Sequence, residues 1–238
     1  MNPRNTLRAL GLVGLSSLSV PLCEAGPNTY SNVSDFKAAV ASGFQPISYL
    51  DFDALASGTI IPSGTTLQGV TFDYVIGGGA FQMQVGSTFD TTSPPNYLGT
   101  TGDDAFLSGD QFTMTFSQPE QALGLFVISG GIDYAGDYTL STADGSVSNS
   151  GSTDSTYGTL GDGGAVYFLG LVETDPSEAF TSATFSSLPG LGIPFNIDDI
   201  MTTTESSVVV PPVPDATSTL ALLSGACACI LRLRRRRP

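Results

Sequence analysis

The sequence predicts an all-β fold, a single antiparallel β-sandwich of the jelly-roll type, between two terminal segments of a different character. Short stretches of apolar or alternating residues recur through the middle of the chain, each bounded by Gly, Asn, Asp, Ser or Pro. Glycine is abundant, with 28 residues. Strands do not alternate with helices as a parallel α/β sheet would require, and no repeat of fixed period is present.

The strongest strand signal is Gln111–Phe116, where Phe112, Met114 and Phe116 share one face and threonines share the other. Two longer runs are continuously apolar, which predicts central strands that are buried on both faces. These runs are Ala122–Ser129 and Ala165–Val172. The other predicted strands are Ile47–Phe52, Gly69–Ile76, Phe81–Val85, Phe180–Phe185 and Phe195–Met201.

One helix is predicted, from Ser34 to Gly43. Ser34 is the expected N-cap, and Gly43 is placed to end the helix. Phe36, Ala39 and Val40 fall on one face, which is expected to pack on the sandwich.

Composition also sets the expected domain boundaries. The sandwich is predicted to occupy residues 26–201 as a single domain, with Asp144–Gly164, rich in Gly, Ser, Thr and Asp, as a long loop. Thr202–Pro212 is expected to be a spacer that separates the domain from a membrane.

The charge of the chain is divided between its body and its ends. Of the eight basic residues, Arg4 and Arg8 lie at the start and five arginines lie in 232–237, which leaves Lys37 alone among twenty acidic residues between Gly26 and Pro214. Binding to phosphate backbones requires clustered Lys and Arg, so the body is not expected to bind nucleic acid.

Residues 1–25 are predicted to be a cleavable secretory signal peptide. Arg4 and Arg8 form a positive region, Ala9–Leu22 forms a mostly apolar one, and small residues stand at the −3 and −1 positions before Gly26. Export would require signal peptidase and the secretion machinery. Two alternatives are an uncleaved N-terminal anchor and a lipoprotein site at Cys23, but the apolar run is short for a bilayer and Leu22 stands where a lipoprotein site prefers a small residue.

The C-terminal segment combines a short motif, an apolar run and a basic end. The run Ser218–Leu231 is marginal for a bilayer span, but the arginines that follow it are expected to stay on the cytoplasmic side and leave the body outside. The residues assigned to the membrane are Ser218, Leu220, Leu222, Leu223, Ile230 and Leu231. The basic stop consists of Arg232, Arg234, Arg235, Arg236 and Arg237.

The order of these three parts resembles the C-terminal sorting signals of the PEP-CTERM type, most closely the VPDSG-CTERM variant. The motif is Val213-Pro214-Asp215, and Ala216-Thr217 stand where the variant has Ser-Gly. The resemblance implies recognition by an exosortase, a membrane-embedded transpeptidase that cuts near the motif and passes the body to the cell envelope or extracellular matrix. An ordinary single-pass C-terminal anchor is the alternative.

Several kinds of catalytic site are excluded by composition. The chain has no His, and its three cysteines (Cys23, Cys227 and Cys229) all lie in the terminal segments. This excludes Ser-His-Asp and Cys-His nucleophiles, and zinc sites that use His, from the body. A glycosidase that uses two carboxyl groups is still allowed, and a buried, interacting pair of acids in a cleft would favour it.

Calcium is the ion best suited to the many acidic residues of the body, because hard cations prefer oxygen ligands. The first and last strands of a jelly roll can lie side by side, so Asp51 or Asp53 is expected to approach Asp198 or Asp199 and share a structural Ca²⁺ ion. Apart from this structural ion, the sequence predicts no cofactor. The alternative is that these acids are ordinary surface or turn residues.

The body also resembles, more weakly, the β-sandwiches often joined to PEP-CTERM tails, through segments such as Leu50–Asp53, Gly69–Phe72, Ala122–Val127 and Phe195–Ile200. The resemblance implies a non-catalytic extracellular module, with an exopolysaccharide as a candidate partner. The expected location is the envelope, surface or matrix of a Gram-negative-type bacterium, after initial anchoring in the inner membrane. A secreted carboxylate-dependent glycoside hydrolase and a plainly anchored surface protein are the alternatives.

Overall fold

The computed structural model of this chain describes residues 26–42, 46–173, 175, 178–190 and 192–204. The predicted signal peptide, most of the spacer and the whole sorting tail, from Val213 to the terminal arginines, lie outside the described residues, as does Gly43. The described part contains fifteen β-strands in two antiparallel sheets and one α-helix. The prediction of a mostly β protein with two antiparallel sheets is therefore confirmed.

The larger sheet, sheet A, contains nine strands, which are numbered in chain order along with those of the second sheet. They are β1 (Asn28–Tyr30), β2 (Ser48–Leu50), β3 (Ile60–Ile61), β6 (Met83–Gly86), β7 (Tyr97–Thr100), β8 (Phe106–Leu107), β10 (Ala122–Ser129), β13 (Ala165–Val172) and β15 (Pro194–Thr203). Their order is β1-β13-β10-β15-β7-β6-β3, and β2 and β8 also pair with β15. β10 and β15 lie at the centre of this order, and all of their residues except Pro194 are buried.

The second sheet, sheet B, contains six strands. They are β4 (Thr65–Leu67), β5 (Val70–Tyr74), β9 (Gln111–Glu120), β11 (Tyr138–Ser141), β12 (Ser146–Ser148) and β14 (Phe180–Ser187). Their order is β12-β11-β14-β9-β5-β4. From β9 onward the chain passes repeatedly from one sheet to the other.

The two sheets enclose one large apolar core. Phe112, Met114 and Phe116 of β9 are buried in it, as their alternation predicted. All residues of β10 are buried, and β13 is buried except for a half-exposed Ala165, which confirms that these two strands are covered on both faces.

Two predicted boundaries differ from the structure. β15 continues to Thr203, and Thr202 and Thr203 are buried, so the first residues of the expected spacer belong to the sheet. β12 lies inside the segment that was expected to be a loop, and its Val147 is buried. A strand of three residues is too short to show a period of two, so the sequence pattern did not reveal it.

The helix α1 (Val33–Ala41) begins earlier than predicted. Its N-cap is Asn32 rather than Ser34, because the Asn32 side-chain oxygen accepts the backbone N–H groups of Ser34, at 2.9 Å, and Asp35, at 3.4 Å. The helix covers the outer face of sheet A, where Phe36 packs on Phe168 with 5.2 Å between ring centroids. Among the described residues, no helix has the length and apolar character needed to cross a membrane.

Candidate functional site

The predicted approach of the first acids to the last strand is found in the structure. β2 pairs antiparallel with β15, so that Leu50 lies opposite Ile200. Asp51 follows Leu50 and Asp199 precedes Ile200; burial is the main cause of a raised pKa of Asp199, and the negative charge of Asp51 adds to it. Asp51, Asp198 and Asp199 therefore lie in one region of the sandwich.

Asp198 is completely buried and is surrounded by hydrogen-bond donors. Its Oδ2 accepts the hydroxyl of Thr91, the hydroxyl of Thr92 at 2.7 Å and the backbone N–H of Ser93 at 3.0 Å. Its Oδ1 accepts the backbone N–H of Asp199 at 2.9 Å. The carboxylate thus ties residues 91–93 to the centre of sheet A.

Burial is the main cause of a raised pKa for both members of the Asp198–Asp199 pair, and the charge of Asp199 raises the pKa of Asp198 further. Hydrogen bonds from Ser93 and Thr92 and the charge of Lys37 oppose the effect at Asp199. Lys37 is the one basic residue in the described ranges, and its Nζ lies 5.5 Å from the ring centroid of Tyr49.

Asp53 is used differently from the acids on β15. Its Oδ1 accepts the backbone N–H of Asn96 at 3.0 Å, and its own N–H donates to Oδ1 of Asp51 at 3.1 Å. The amide of Asn96 also donates to the Leu55 carbonyl at 2.9 Å. Asp53 therefore fixes the end of a loop through its carboxylate and contacts Asp51 through its backbone N–H, and none of these bonds reaches Asp198 or Asp199.

Within the part of the chain that the structure describes, no group of three or more Asp, Glu, His or Cys side chains is arranged to hold a metal ion. The acceptor positions of Asp198 are already filled by protein donors, which leaves Asp51 and Asp199 as the carboxylates with capacity for a ligand. Calcium binding here stays a hypothesis.

Asp198 and Asp53 both bind one surface segment, residues 87–96 between β6 and β7, which we call the Phe89 loop. Asp198 holds its centre and Asp53 holds its end. A third carboxylate, that of Asp104, holds its start by accepting the hydroxyl of Thr88 at 2.7 Å and the hydroxyl of Tyr97 at 2.9 Å. The loop contains a cis peptide bond between Pro94 and Pro95.

A fourth attachment joins the Phe89 loop to the loop before β13. The N–H of Asp90 donates to Oδ2 of Asp162 at 2.9 Å, and the N–H of Asp162 donates to Oδ2 of Asp90 at 3.0 Å. The N–H of Gly164 donates to Oδ1 of Asp162 at 2.9 Å. Two segments that are far apart in the sequence are thereby held together by a reciprocal pair of hydrogen bonds, each from a backbone N–H to a carboxylate.

Phe89 is the aromatic residue that this framework presents to solvent. Its side chain is 41% exposed, and its ring lies 6.2 Å from the ring of Tyr97, with 32° between the planes. The Tyr97 hydroxyl accepts the N–H groups of Thr88, at 3.1 Å, and Phe89, at 3.3 Å. Burial and the Asp104 carboxylate raise the pKa of Tyr97 to about 12, so this hydroxyl keeps its proton at neutral pH.

Two cavities adjoin Phe89. The first has a volume of about 380 Å³, and its lining combines apolar groups, such as Ile128 and Pro194, with polar ones, such as Asn196 and Asp162. The second, of about 350 Å³, is lined by Asp90, Pro94 and Leu160 among others. Because both contain Phe89 in their walls, the ring stands at the boundary between two neighbouring concave surfaces.

The carboxylates at these cavities do not form an evident acid–base pair. Among the described residues, Asp162 is the one carboxylate in the lining of the first cavity and Asp90 is the one in the lining of the second. Both are exposed, and each accepts at least one backbone N–H. The buried pair Asp198–Asp199 lines neither cavity. The arrangement is suited to holding a ligand in place, since its polar groups are fixed and its apolar surface is accessible.

Sequence reasoning did not single out Phe89. One signal was present: Phe89 begins a polar stretch rich in turn-forming residues, and an aromatic residue in such a stretch has no core to join locally. A second signal concerned the burial of Asp198, which lies with Asp199 between Ile197 and Ile200 in a predicted strand. A carboxylate at such a position is expected to be buried and to require several donors.

Comparison with known proteins gives no matching family model and no significantly similar curated protein.

Proposed function

We propose that this chain is an exported, exosortase-sorted protein of the cell surface or extracellular matrix, and that its β-sandwich is a non-catalytic interaction module of the jelly-roll type. The repeated passage of the chain between the two sheets supports the jelly-roll assignment. The sorting assignment depends on the motif Val213-Pro214-Asp215, the apolar run and the arginine cluster in the sequence. The proposed partners are signal peptidase, the secretion machinery and an exosortase-type transpeptidase.

The observation that carries the interaction role is the Phe89 loop. Four carboxylates, those of Asp53, Asp104, Asp162 and Asp198, hold one exposed loop from different sides. This loop presents an aromatic ring at two cavities and is held by several carboxylates. Because the loop is ordered before a ligand arrives, binding costs little further conformational entropy.

The sorting proposal is tested by the intact mass of the protein recovered from the envelope and from the culture medium of its own host. A mass that ends between Pro214 and Thr217 is the expected result, since the transpeptidase cuts near the motif. A mass that retains Arg234–Arg237 would overturn exosortase processing and leave a plain C-terminal anchor.

A carboxylate-dependent glycoside hydrolase is the second candidate, because Asp90 and Asp162 lie at adjoining cavities. Hydrolysis requires one carboxyl group that stays protonated as a general acid, which normally demands burial, whereas both of these side chains are exposed. The test is the release of reducing ends from neutral polysaccharides by the full chain. Release that Asp162→Asn abolishes would replace the interaction role with a hydrolytic one.

A further inference from the structure

We propose that the Phe89 loop and its two cavities bind a neutral glycan chain, with the ring of Phe89 as the stacking platform. This inference rests on the proposed function, because it assigns a ligand class to the same interaction module. Four properties of the site support it: a rigid exposed ring, fixed hydrogen-bond acceptors, paired cavities and the sign of the local charge.

The first property is the rigidity of the platform. The apolar face of a sugar ring packs on an aromatic ring, and such a contact is strongest when the aromatic side chain is held in place before binding. The ring of Phe89 packs against the ring of Tyr97. Tyr97 is itself buried, and its hydroxyl donates a hydrogen bond to Asp104. The Phe89 backbone is also fixed, because its N–H donates to the Tyr97 hydroxyl.

The second property is the set of polar groups around the platform. Sugar hydroxyls need acceptors at fixed positions, and the Asp162 carboxylate is fixed by the N–H groups of Asp90 and Gly164. Each carboxylate oxygen can accept more than one hydrogen bond, so Asp162 retains capacity for ligand hydroxyls. Asn196 adds a polar residue to the lining of the same cavity, beside the apolar surfaces of Ile128 and Pro194.

The third property is the size and pairing of the cavities. Volumes of about 380 Å³ and 350 Å³ each fall in the range of small-molecule sites. Since the two cavities share Phe89, a ligand that contacts the ring can extend into both. This geometry favours a chain of linked sugars over a single monosaccharide.

The fourth property is charge, which separates neutral ligands from charged ones. Asp90 and Asp162 border the cavities, and no Lys or Arg is among the described residues that line them. A uronate or sulfate group would be repelled by these carboxylates. A quaternary or ammonium ligand is usually enclosed by several aromatic faces, whereas Phe89 is the one exposed aromatic ring in the described lining.

The experiment is affinity electrophoresis of the full chain in gels that contain dextran, pullulan, laminarin, galactomannan or xylan, with alginate as the anionic comparison. We expect retardation by at least one neutral polymer and none by alginate. Phe89→Ala should weaken binding by about tenfold or more, the loss typical of a central aromatic contact. Phe89→Leu, which keeps apolar volume without a ring, guards against loss by misfolding and should also weaken binding.

The matched control is Phe81→Ala. Phe81 is 38% exposed, close to the exposure of Phe89, but it packs against Gly77 and Gly102 and lines neither cavity. The control should bind as the parent does. The proposal is overturned if no neutral polymer retards the parent, if alginate alone does, or if both Phe89 variants bind as tightly as Phe81→Ala. The sorting proposal is tested separately by the intact mass of the host-derived protein, so a mass that retains Arg234–Arg237 would contradict sorting and leave this inference intact.

Discussion

Gly124 and Gly170 lie directly opposite each other on β10 and β13, and the ring of Phe36 from α1 lies over the gap that they leave in the sheet. A Cβ atom on Gly170 would lie 2.7 Å from the Phe168 ring and 2.8 Å from the Phe36 ring. Distances this short do not occur without movement of the neighbouring groups. The glycine pair therefore provides the close approach of helix to sheet.

The first prediction follows from that contact. Gly170→Ala should destabilise the protein by about 1–3 kcal/mol, because an added methyl group overpacks a filled core. In a Phe36→Ala background the same substitution should have a smaller effect, since part of the clash is gone. Thermal or denaturant unfolding of the four proteins in this double-mutant cycle measures both effects. Equal losses in the two backgrounds would contradict the packing argument.

The second prediction concerns the role of Asp198. The chain contains no Trp, so Phe89→Trp creates a single fluorescent reporter on the loop. In that background, Asp198→Asn should shift the emission to longer wavelength and lower the anisotropy. The amide replaces one acceptor oxygen by a donor, which faces the donors of Thr91, Thr92 or Ser93.

The control for this measurement is Asp73→Asn, which removes the same charge from an exposed residue of β5. It should leave both signals of the tryptophan unchanged. An unaltered reporter in the Asp198→Asn protein would show that the loop does not depend on this carboxylate.

The third prediction is a loss of stability with rising pH. Burial raises the pKa of Glu120 and of Glu173 from 4.5 to about 7, and acidic neighbours of Glu173, led by Asp144, add to its shift. Within the described residues, neither oxygen of Glu173 has a hydrogen-bond partner. Between pH 4.5 and 7 the folded state therefore binds more protons than the unfolded state, so stability should fall as pH rises through this window.

Melting temperatures from pH 4.5 to pH 8 measure this dependence. Glu173→Gln, which stays neutral, should melt above the parent near pH 8 and approach it near pH 5, and Asp73→Asn serves as the charge-matched control. A parent protein that becomes more stable from pH 4.5 to 7 would contradict the assignment.

The fourth prediction addresses calcium. The oxygens of Asp198 are filled by protein donors, which leaves only Asp51 and Asp199 of this group for an ion that takes about six to eight oxygen ligands, so millimolar calcium is expected to leave the melting temperature close to its value in chelator. Magnesium at the same concentration controls for ionic strength. A clear rise with calcium, abolished by Asp199→Asn, would instead establish the shared ion that the sequence suggested for Asp51 and Asp199.

Periodicity predicted the individual strands well where they were long. β9 alternates and β10 and β13 are uniformly apolar, so burial could be deduced from each segment alone. Short strands such as β7 and β12 carry too few residues for a period to show. The N-cap was misplaced because Asn32 and Ser34 are both good capping residues. Tertiary contacts favour the earlier start, since Val33 is buried beside sheet A and its N–H donates to Oδ2 of Asp154 at 2.8 Å.

The sequence by itself determined the class of the fold, the central strands, the exclusion of histidine and cysteine chemistry, and the resemblance of the tail to a sorting signal. Tertiary structure decided what the acids do. Asp198 and Thr92 are 106 positions apart, and they meet because β15 lies beside β7, with Asp199 at φ 47° where the register with β10 shifts. A local pattern reports which face of one strand is buried. The partner of a buried carboxylate depends on strand order, which is decided by the packing of the whole chain.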